Sequence, residues 1–167
     1  MTSAPRDRHP QPGDGWVECD CGNRHWGLAG AAGLLLVRRD AHAAVSHVVL
    51  QHRALFTHGG GTWALPGGAR MPGESAADGA LREAQEEAGI DPADVCVLGE
   101  HVVDHGPWSY VTVLAEERVP VTPVPTDAES LAVTWVPVDD VVRHDLLPSF
   151  AAAWPDLRER LGRRSVL

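Results

Sequence analysis

Three glutamates form the clearest chemical pattern in this sequence. Glu83, Glu86 and Glu87 follow one another at spacings that stack side chains on one side of a helix. Like charges held that close are unfavourable unless a cation neutralises them. The pattern therefore indicates either a solvated acidic helix face or a site for a hard cation with oxygen ligands, such as Mg2+ or Mn2+.

A helix of about four turns would have to carry these glutamates. Ser75 is a suitable N-cap residue, and Gly89 followed by Asp91-Pro92 is a strong helix stop. One narrow arc of this helix is apolar and should face the core: Ala77, Leu81, Ala84 and Ala88. The glutamates occupy the neighbouring arc, and we expect Glu86 and Glu87 near the surface, where the fold should tolerate the loss of their charge.

The order of residues from Gly68 to Ile90 favours the cation site over the solvated face. The segment fits the template G-x5-E-x7-R-E-U-x-E-E-x-G-U, where U is aliphatic, and only Ala84 is smaller than usual for its position. This template is the Nudix box. The chain therefore resembles the Nudix hydrolase family, and the resemblance extends over most of residues 27–145.

The resemblance implies a metal site within the box. Its ligands would be the backbone carbonyl of Gly68 and three carboxylates: Glu83, Glu86 and Glu87. Glycine suits a position where the backbone must approach an ion closely. The bound ion would be Mg2+ or Mn2+.

Further residues are candidates for catalysis. Arg82 could reach Glu86 at i+4, or another carboxylate of the box, and hold it in place. The general base is one of the box carboxylates or a carboxylate outside the box, for which Glu129 is the candidate; its alternative is a solvated loop residue. Glu74 would support the box electrostatically.

Five residues outside the acidic pattern could face a substrate, although surface or core packing explains each of them at least as well. They are His58, Trp63, Arg70, Trp108 and Tyr110.

Composition limits the possible partners. The formal net charge of -9, without a basic run, argues against binding polymeric nucleic acid. No apolar run is long enough for a membrane helix, and no signal peptide opens the chain. We expect a cytoplasmic protein with a small nucleotide substrate and the possibility of a homodimer.

A second group of ligand-type residues lies near the N-terminus. Cys19, Cys21 and His25 suggest zinc, because Cys and His are its usual ligands. The spacing of the cysteines is C-x-C, however, and no second ligand pair is visible. We therefore predict that this segment holds no stoichiometric metal.

The rest of the chain predicts an α/β fold. Strand-like runs alternate with the box helix and a C-terminal helical pattern from Leu146 to Leu161, in which Pro155 would kink or split the helix. The resemblance implies an α/β/α sandwich with a mixed central sheet. We predict a flexible tail over residues 1–15, an irregular arm over 16–27 and one domain over 28–163.

The resemblance also implies an activity, the metal-dependent hydrolysis of a nucleoside diphosphate linked to another moiety. A (deoxy)nucleoside triphosphate or damaged nucleotide is favoured because the chain is short and its glycine-rich loop at residues 58–62 is compact. The alternatives are an ADP-ribose or nucleotide-sugar pyrophosphatase and, in another class, a non-catalytic nucleotide sensor.

Overall fold

The computed structural model describes residues 10–163, which form nine strands and two α-helices. In chain order the elements are β1 (Trp16–Glu18), β2 (Arg24–Trp26), β3 (Ala31–Arg39), β4 (Val45–Arg53), β5 (Trp63–Ala64), β6 (Gly67–Ala69), α1 (Ala76–Ala88), β7 (Val95–Asp104), β8 (Ser109–Glu117), β9 (Ser130–Pro137) and α2 (Pro148–Gly162). Short 3-10 helices lie at Pro92–Asp94 and Val141–Arg143.

The central sheet is mixed and has seven strands. Its main path runs β5-β4-β3-β8-β7, while β6 pairs with β3 and β9 pairs with β4. The pairing of β3 with β8 is parallel and the other pairings are antiparallel. The short strand β6 was absent from the sequence expectations, because two glycines and an alanine carry no strand signal.

The two helices cover opposite faces of this sheet. On β3, Leu34 and Leu36 pack in the cluster that contains the alanines of α1. The alternate residues Leu35 and Val37 pack with Trp154 and its neighbours from α2. Side chains alternate along a strand, so a central strand buried on both faces reads as the continuous apolar run seen in the sequence. The predicted α/β/α sandwich is confirmed.

The capping residues of α1 set the two ends of the helix that carries the glutamates. Ser75 accepts a hydrogen bond from the backbone N–H of Asp78, and Gly89 ends the helix in the left-handed conformation at φ 63°. Both boundaries agree with the prediction.

The C-terminal helix is not split at Pro155, contrary to one predicted alternative. A proline removes a single helical hydrogen bond. Buried apolar side chains on both sides of Pro155 anchor the helix to the sheet: Phe150, Trp154, Leu157 and Leu161.

The N-terminal segment contains a hairpin in place of the irregular arm that the sequence predicted. Residues 1–9 lie outside the described part of the chain. Residues 10–15 pack on the domain, since the carbonyl oxygens of Gly13 and Gly15 accept hydrogen bonds from the backbone of residues 28 and 27 at 2.9 and 2.7 Å. Residues 16–26 form an antiparallel hairpin in which Val17 pairs with His25. Within residues 10–163, neither helix has the length and apolar character of a membrane span.

Candidate metal and active site

The backbone of β6 lies directly under a carboxylate of α1. A Cβ placed on Gly68 would lie 2.9 Å from the Cδ and Oε1 atoms of Glu83. A side chain at residue 68 would therefore displace the Glu83 carboxylate, and this is also the position the sequence predicted for a metal-binding carbonyl. The pairing of Gly68 with Ala32 of β3 holds this contact in place.

Two of the three box glutamates are buried, and the burial of Glu87 contradicts the expectation that it lies near the surface. Glu83 and Glu87 are 0% and 1% exposed, whereas the side chain of Glu86 is partly exposed. The backbone N–H of Gly67 donates to Glu87 Oε2 at 3.0 Å. The arc of the helix that carries the glutamates is thus enclosed by β6 and the segment before it.

Arg82 organises the carboxylates on the other side of Glu83. Its guanidinium binds both oxygens of Glu74 at 2.9 and 3.0 Å and donates to Glu83 Oε1 at 2.8 Å. It lies 3.5 Å from Glu86, so the predicted i+4 contact is the longest of these. The Arg82 guanidinium also lowers the pKa of the Glu74 carboxyl below its ordinary value. Arg82 therefore holds Glu83 in a fixed orientation, as a planar five-donor group can.

A carboxylate cluster forms where the loop before β9 meets α1. It consists of Glu87, Asp127 and Glu129, and one oxygen from each lies within 4.8 Å of the others. The loop is tied to the end of α1 by the backbone N–H of Thr126, which donates to the carbonyl of Glu87 at 3.1 Å. The structure thus brings the predicted Glu129 to the box. Asp127 was missed, because an acid in a proline-containing loop carries no signal of its own.

Burial raises the pKa of Glu87 well above its ordinary value, and the nearby charges of Glu83, Asp127 and Glu129 raise it further. The hydrogen bond from Gly67 acts in the opposite direction and is a smaller effect. A bound cation would relieve this repulsion.

A buried glutamine adjoins the cluster and was also missed. Gln51 of β4 is 1% exposed and donates through Nε2 to the hydroxyl of Ser130 at 2.7 Å. Within residues 10–163, its Oε1 atom has no hydrogen-bond partner. The sequence gives only a weak signal for Gln51, because a single polar residue near the end of an apolar strand is common.

Two of the predicted substrate-facing residues are used in packing. Trp63 stacks on His52, with ring centroids 4.6 Å apart, and its edge contacts His144. Arg70 donates from Nη2 to the carbonyl of Glu74 at 2.6 Å and so closes the loop before α1.

The other three make ring contacts in two separate groups, His58 with the tryptophans of the hairpin and Trp108 with Tyr110 and His25. Trp108 stacks on His25 and contacts Tyr110, at centroid separations of 4.2 and 6.4 Å. The exposed His58 contacts the edge of Trp16 at 6.0 Å. The hydroxyl of Tyr110 lies against Gly33, where a Cβ would be only 2.1 Å away, and burial raises the pKa of Tyr110 above its ordinary value. The β1–β2 hairpin thus connects the loop of His58 to the turn of Trp108.

The donor set beside α1 fits a hard divalent cation. Carboxylate oxygens converge from a helix and a loop, and the carboxylate of Glu83 lies against the backbone of Gly68, where Arg82 holds it. Mg2+ and Mn2+ bind through one or two carboxylates, with waters and substrate phosphates completing the coordination.

Comparison with known proteins gives a family match over the part of the chain that contains Gly68–Ile90. The profile of the NUDIX domain matches residues 27–157. A Nucleoside triphosphate pyrophosphatase/Nudix hydrolase fusion protein from Bifidobacterium longum is 52% identical over 90% of this chain, which spans only 32% of that protein. A Putative 8-oxo-dGTP diphosphatase 3 from Mycobacterium tuberculosis is 44% identical over 87% of this chain and 69% of its own length.

A solved structure agrees with the fold. The crystal structure of a Nudix hydrolase from M. Smegmatis, RenU, superposes with a TM-score of 0.83 at 42% identity. The match covers 93% of this chain and 99% of that one.

Proposed function

The chain belongs to the Nudix hydrolase family, and we propose that it is a Mg2+- or Mn2+-dependent pyrophosphohydrolase of a (deoxy)nucleoside triphosphate, including one with an oxidised base. The observation that carries the proposal is the enclosure of Glu87 against Asp127 and Glu129 beside the backbone of Gly67 and Gly68. Acidic groups packed this closely in a partly enclosed place are suited to hold a divalent cation.

In this proposal the cation ligands are the carbonyl of Gly68 and the carboxylates of Glu83, Glu86 and Glu87. The ion would supply neutralisation of the charge on the phosphoryl oxygens. Arg82 acts as a positioning residue, because its bonds to Glu74 and Glu83 limit the orientations of the Glu83 carboxylate.

Glu129 is the preferred general base. Glu129 belongs to the carboxylate cluster and is half-buried on a loop. It can therefore lie beside the proposed cation ligand Glu87 and also contact a water molecule. The water oxygen forms a bond to phosphorus, the bond from phosphorus to the leaving phosphoryl oxygen breaks, and the water proton passes to the carboxylate of Glu129. The box carboxylates are the alternative acceptors.

The choice of substrate is supported by relatives rather than by a visible specificity pocket. The M. tuberculosis relative is named for 8-oxo-dGTP, and it shares 44% of its aligned residues with this chain. The exposed rings of Trp16 and Trp26 beside His58 offer faces on which a base could stack. Retention of every box glutamate supports an enzyme over a silent nucleotide sensor.

A substrate panel tests this proposal. Purified protein is assayed with Mg2+ against nucleoside triphosphates, 8-oxo-dGTP, ADP-ribose, nucleotide-sugars and dinucleoside polyphosphates, and kcat/KM is compared. We expect a triphosphate to exceed ADP-ribose and the sugars by at least about tenfold. The opposite ranking would overturn the substrate class, and turnover of all compounds in chelator would overturn the metal mechanism.

A further inference from the structure

The turn of the β1–β2 hairpin presents two cysteines to one point. Backbone hydrogen bonds close the turn, from Gly22 to the carbonyl of Cys19 at 3.0 Å and from Cys19 to that of Asn23 at 3.1 Å. Gly22 has a φ of 86°, which favours glycine. In this turn the backbone N–H of Cys21 lies 3.5 Å from the Sγ atom of Cys19. The turn therefore brings the Sγ atoms of Cys19 and Cys21 within 4.8 Å of each other.

A third donor comes from β2. His25 Nε2 lies 3.2 Å from the Sγ atom of Cys21. The His25 ring is held by Trp108, on which it stacks at an interplanar angle of 11°. Trp108 in turn donates from Nε1 to the carbonyl of Trp26 at 3.2 Å, so the hairpin and the β7–β8 turn are fastened to each other.

The fourth donor is His105, which the sequence placed 80 residues from His25. It begins the turn between β7 and β8, where its backbone N–H donates to the carbonyl of Trp108 at 2.9 Å. Its ring centroid lies 4.7 Å from that of His25, and the Sγ atom of Cys19 lies 3.8 Å from its carbonyl oxygen. The β7–β8 turn therefore supplies the second histidine of a pair that no local spacing reveals.

We propose that Cys19, Cys21, His25 and His105 bind one Zn2+ ion. One ligand atom from each of the four residues lies within 4.8 Å of the others. Ligands of a tetrahedral Cys2His2 zinc site are about 3.3–3.8 Å apart, so small side-chain rotations suffice to close the coordination sphere. The prediction of no metal in this segment rested on the lack of a second ligand pair, and His105 removes that objection.

The chemistry of the donors separates this site from the one beside α1. Thiolate and imidazole select zinc, whereas carboxylates, carbonyls and water suit Mg2+ and Mn2+. Four protein ligands leave no open position for water or substrate, which is the pattern of a structural rather than a catalytic zinc.

The ion would fasten the hairpin to the main sheet. Trp16 of β1 contacts both Trp26 and His58, so the position of the hairpin also sets where these two tryptophan rings lie beside His58. Because the hairpin has only three residues in each strand and two exposed tryptophans, it needs an additional constraint to hold one position.

Metal analysis of the full chain tests the proposal. Protein purified under reducing conditions is supplied with Zn2+, passed through a metal-free desalting column and analysed for zinc by mass spectrometry. We expect about one zinc per chain, nearly complete loss in the Cys19→Ser/Cys21→Ser double variant, and full retention in Cys96→Ser. Cys96 is an exposed cysteine outside the cluster. Retention in Glu87→Gln would show that the carboxylates do not hold the zinc.

Cobalt spectroscopy keeps the test independent of how well the variants fold. Replacing zinc with Co2+ in the otherwise unaltered protein should give the absorption of a tetrahedral ion with thiolate ligands, and His105→Ala should change it. Protein that takes up no zinc, a double variant that keeps its zinc in full, or an octahedral cobalt spectrum would each overturn the proposal.

Discussion

The three box glutamates of α1 and the Cys19–Cys21–His25–His105 cluster differ in how the chain assembles them. Three box glutamates come from a single helix, so their spacing alone places them together. The Cys/His cluster combines a tight turn near the N-terminus with a turn after β7, and only the folded sheet brings His105 to it. Local periodicity therefore reveals the first kind of site and conceals the second.

The two clusters also differ in donors and burial. Hard carboxylate oxygens surround a buried Glu87, while the Cys/His cluster includes the exposed Cys21. Under the two proposals above, two ions have separate functions, one supporting hydrolysis and one supporting the hairpin. The predictions below separate these functions, from the largest expected effect to the smallest.

Removing the charge of Glu87 should have the largest effect. Glu87→Gln is expected to lower kcat by on the order of 10^3-fold, because a lost cation ligand removes several kcal/mol of charge stabilisation in the transition state. Steady-state kinetics with saturating Mg2+ measures it. The matched control is Glu100→Gln, which changes an exposed glutamate of β7 and should behave as the unaltered protein. Equal turnover in both variants would remove Glu87 from the mechanism.

Arg82→Lys should have an intermediate effect. Lysine keeps the charge but cannot bind both oxygens of Glu74 while donating to Glu83. Loss of an outer contact to a metal ligand typically costs about 10–100-fold in activity or metal affinity. In a titration of activity with Mg2+, the variant should need a higher Mg2+ concentration for half-maximal activity and should have a lower kcat. An unchanged Mg2+ dependence would mean that Arg82 does not position a ligand.

The pH dependence of the unfolding free energy should report the cost of ionising the buried Glu87 when no cation is bound. Because the pKa of Glu87 is raised in the folded state, the folded protein holds a proton that the unfolded chain releases above about pH 4.5. The free energy of unfolding should therefore fall as pH rises from about 4.5 towards the folded-state pKa.

Calorimetry without divalent cations, across pH 5–8, checks this sign. Glu87→Gln should gain Tm relative to the unaltered protein as pH rises, because glutamine does not ionise. Adding Mg2+ should raise the Tm of the unaltered protein and leave that of the variant nearly unchanged. A Tm difference that is independent of pH would contradict the burial of an ionisable Glu87.

The fold was predictable where local signals agree. Ser75 and Gly89 set the helix ends, and the apolar run of β3 indicates a strand buried on both faces. The burial of Glu83 and Glu87 was not predictable, because it depends on β6 crossing beneath the helix. Asp127 and His105 reach their clusters through contacts between segments that lie far apart in the sequence, which no spacing in the chain encodes. The sequence also did not reveal that the ring of Trp63 packs on His52 and His144, because these contacts form only in the folded chain.

The smallest effect concerns the helix that carries the glutamates. Ser75→Ala removes the N-cap hydrogen bond and should cost about 1 kcal/mol of unfolding free energy, or roughly 2–4 °C in Tm. Ser149→Ala is a suitable control, because Ser149 is exposed in the first turn of α2, which has no side-chain cap. Equal Tm changes in the two variants would show that the cap does not stabilise α1.

The most direct test of two separate sites is a Mn2+ titration followed by electron paramagnetic resonance, on the unaltered protein, Glu87→Gln and Cys19→Ser/Cys21→Ser. We expect saturable Mn2+ binding in the unaltered protein and in the cysteine variant, and its loss in Glu87→Gln. Wild-type Mn2+ binding by Glu87→Gln, or its loss on removal of the two cysteines, would contradict the assignment of the hydrolytic cation to the carboxylates beside α1.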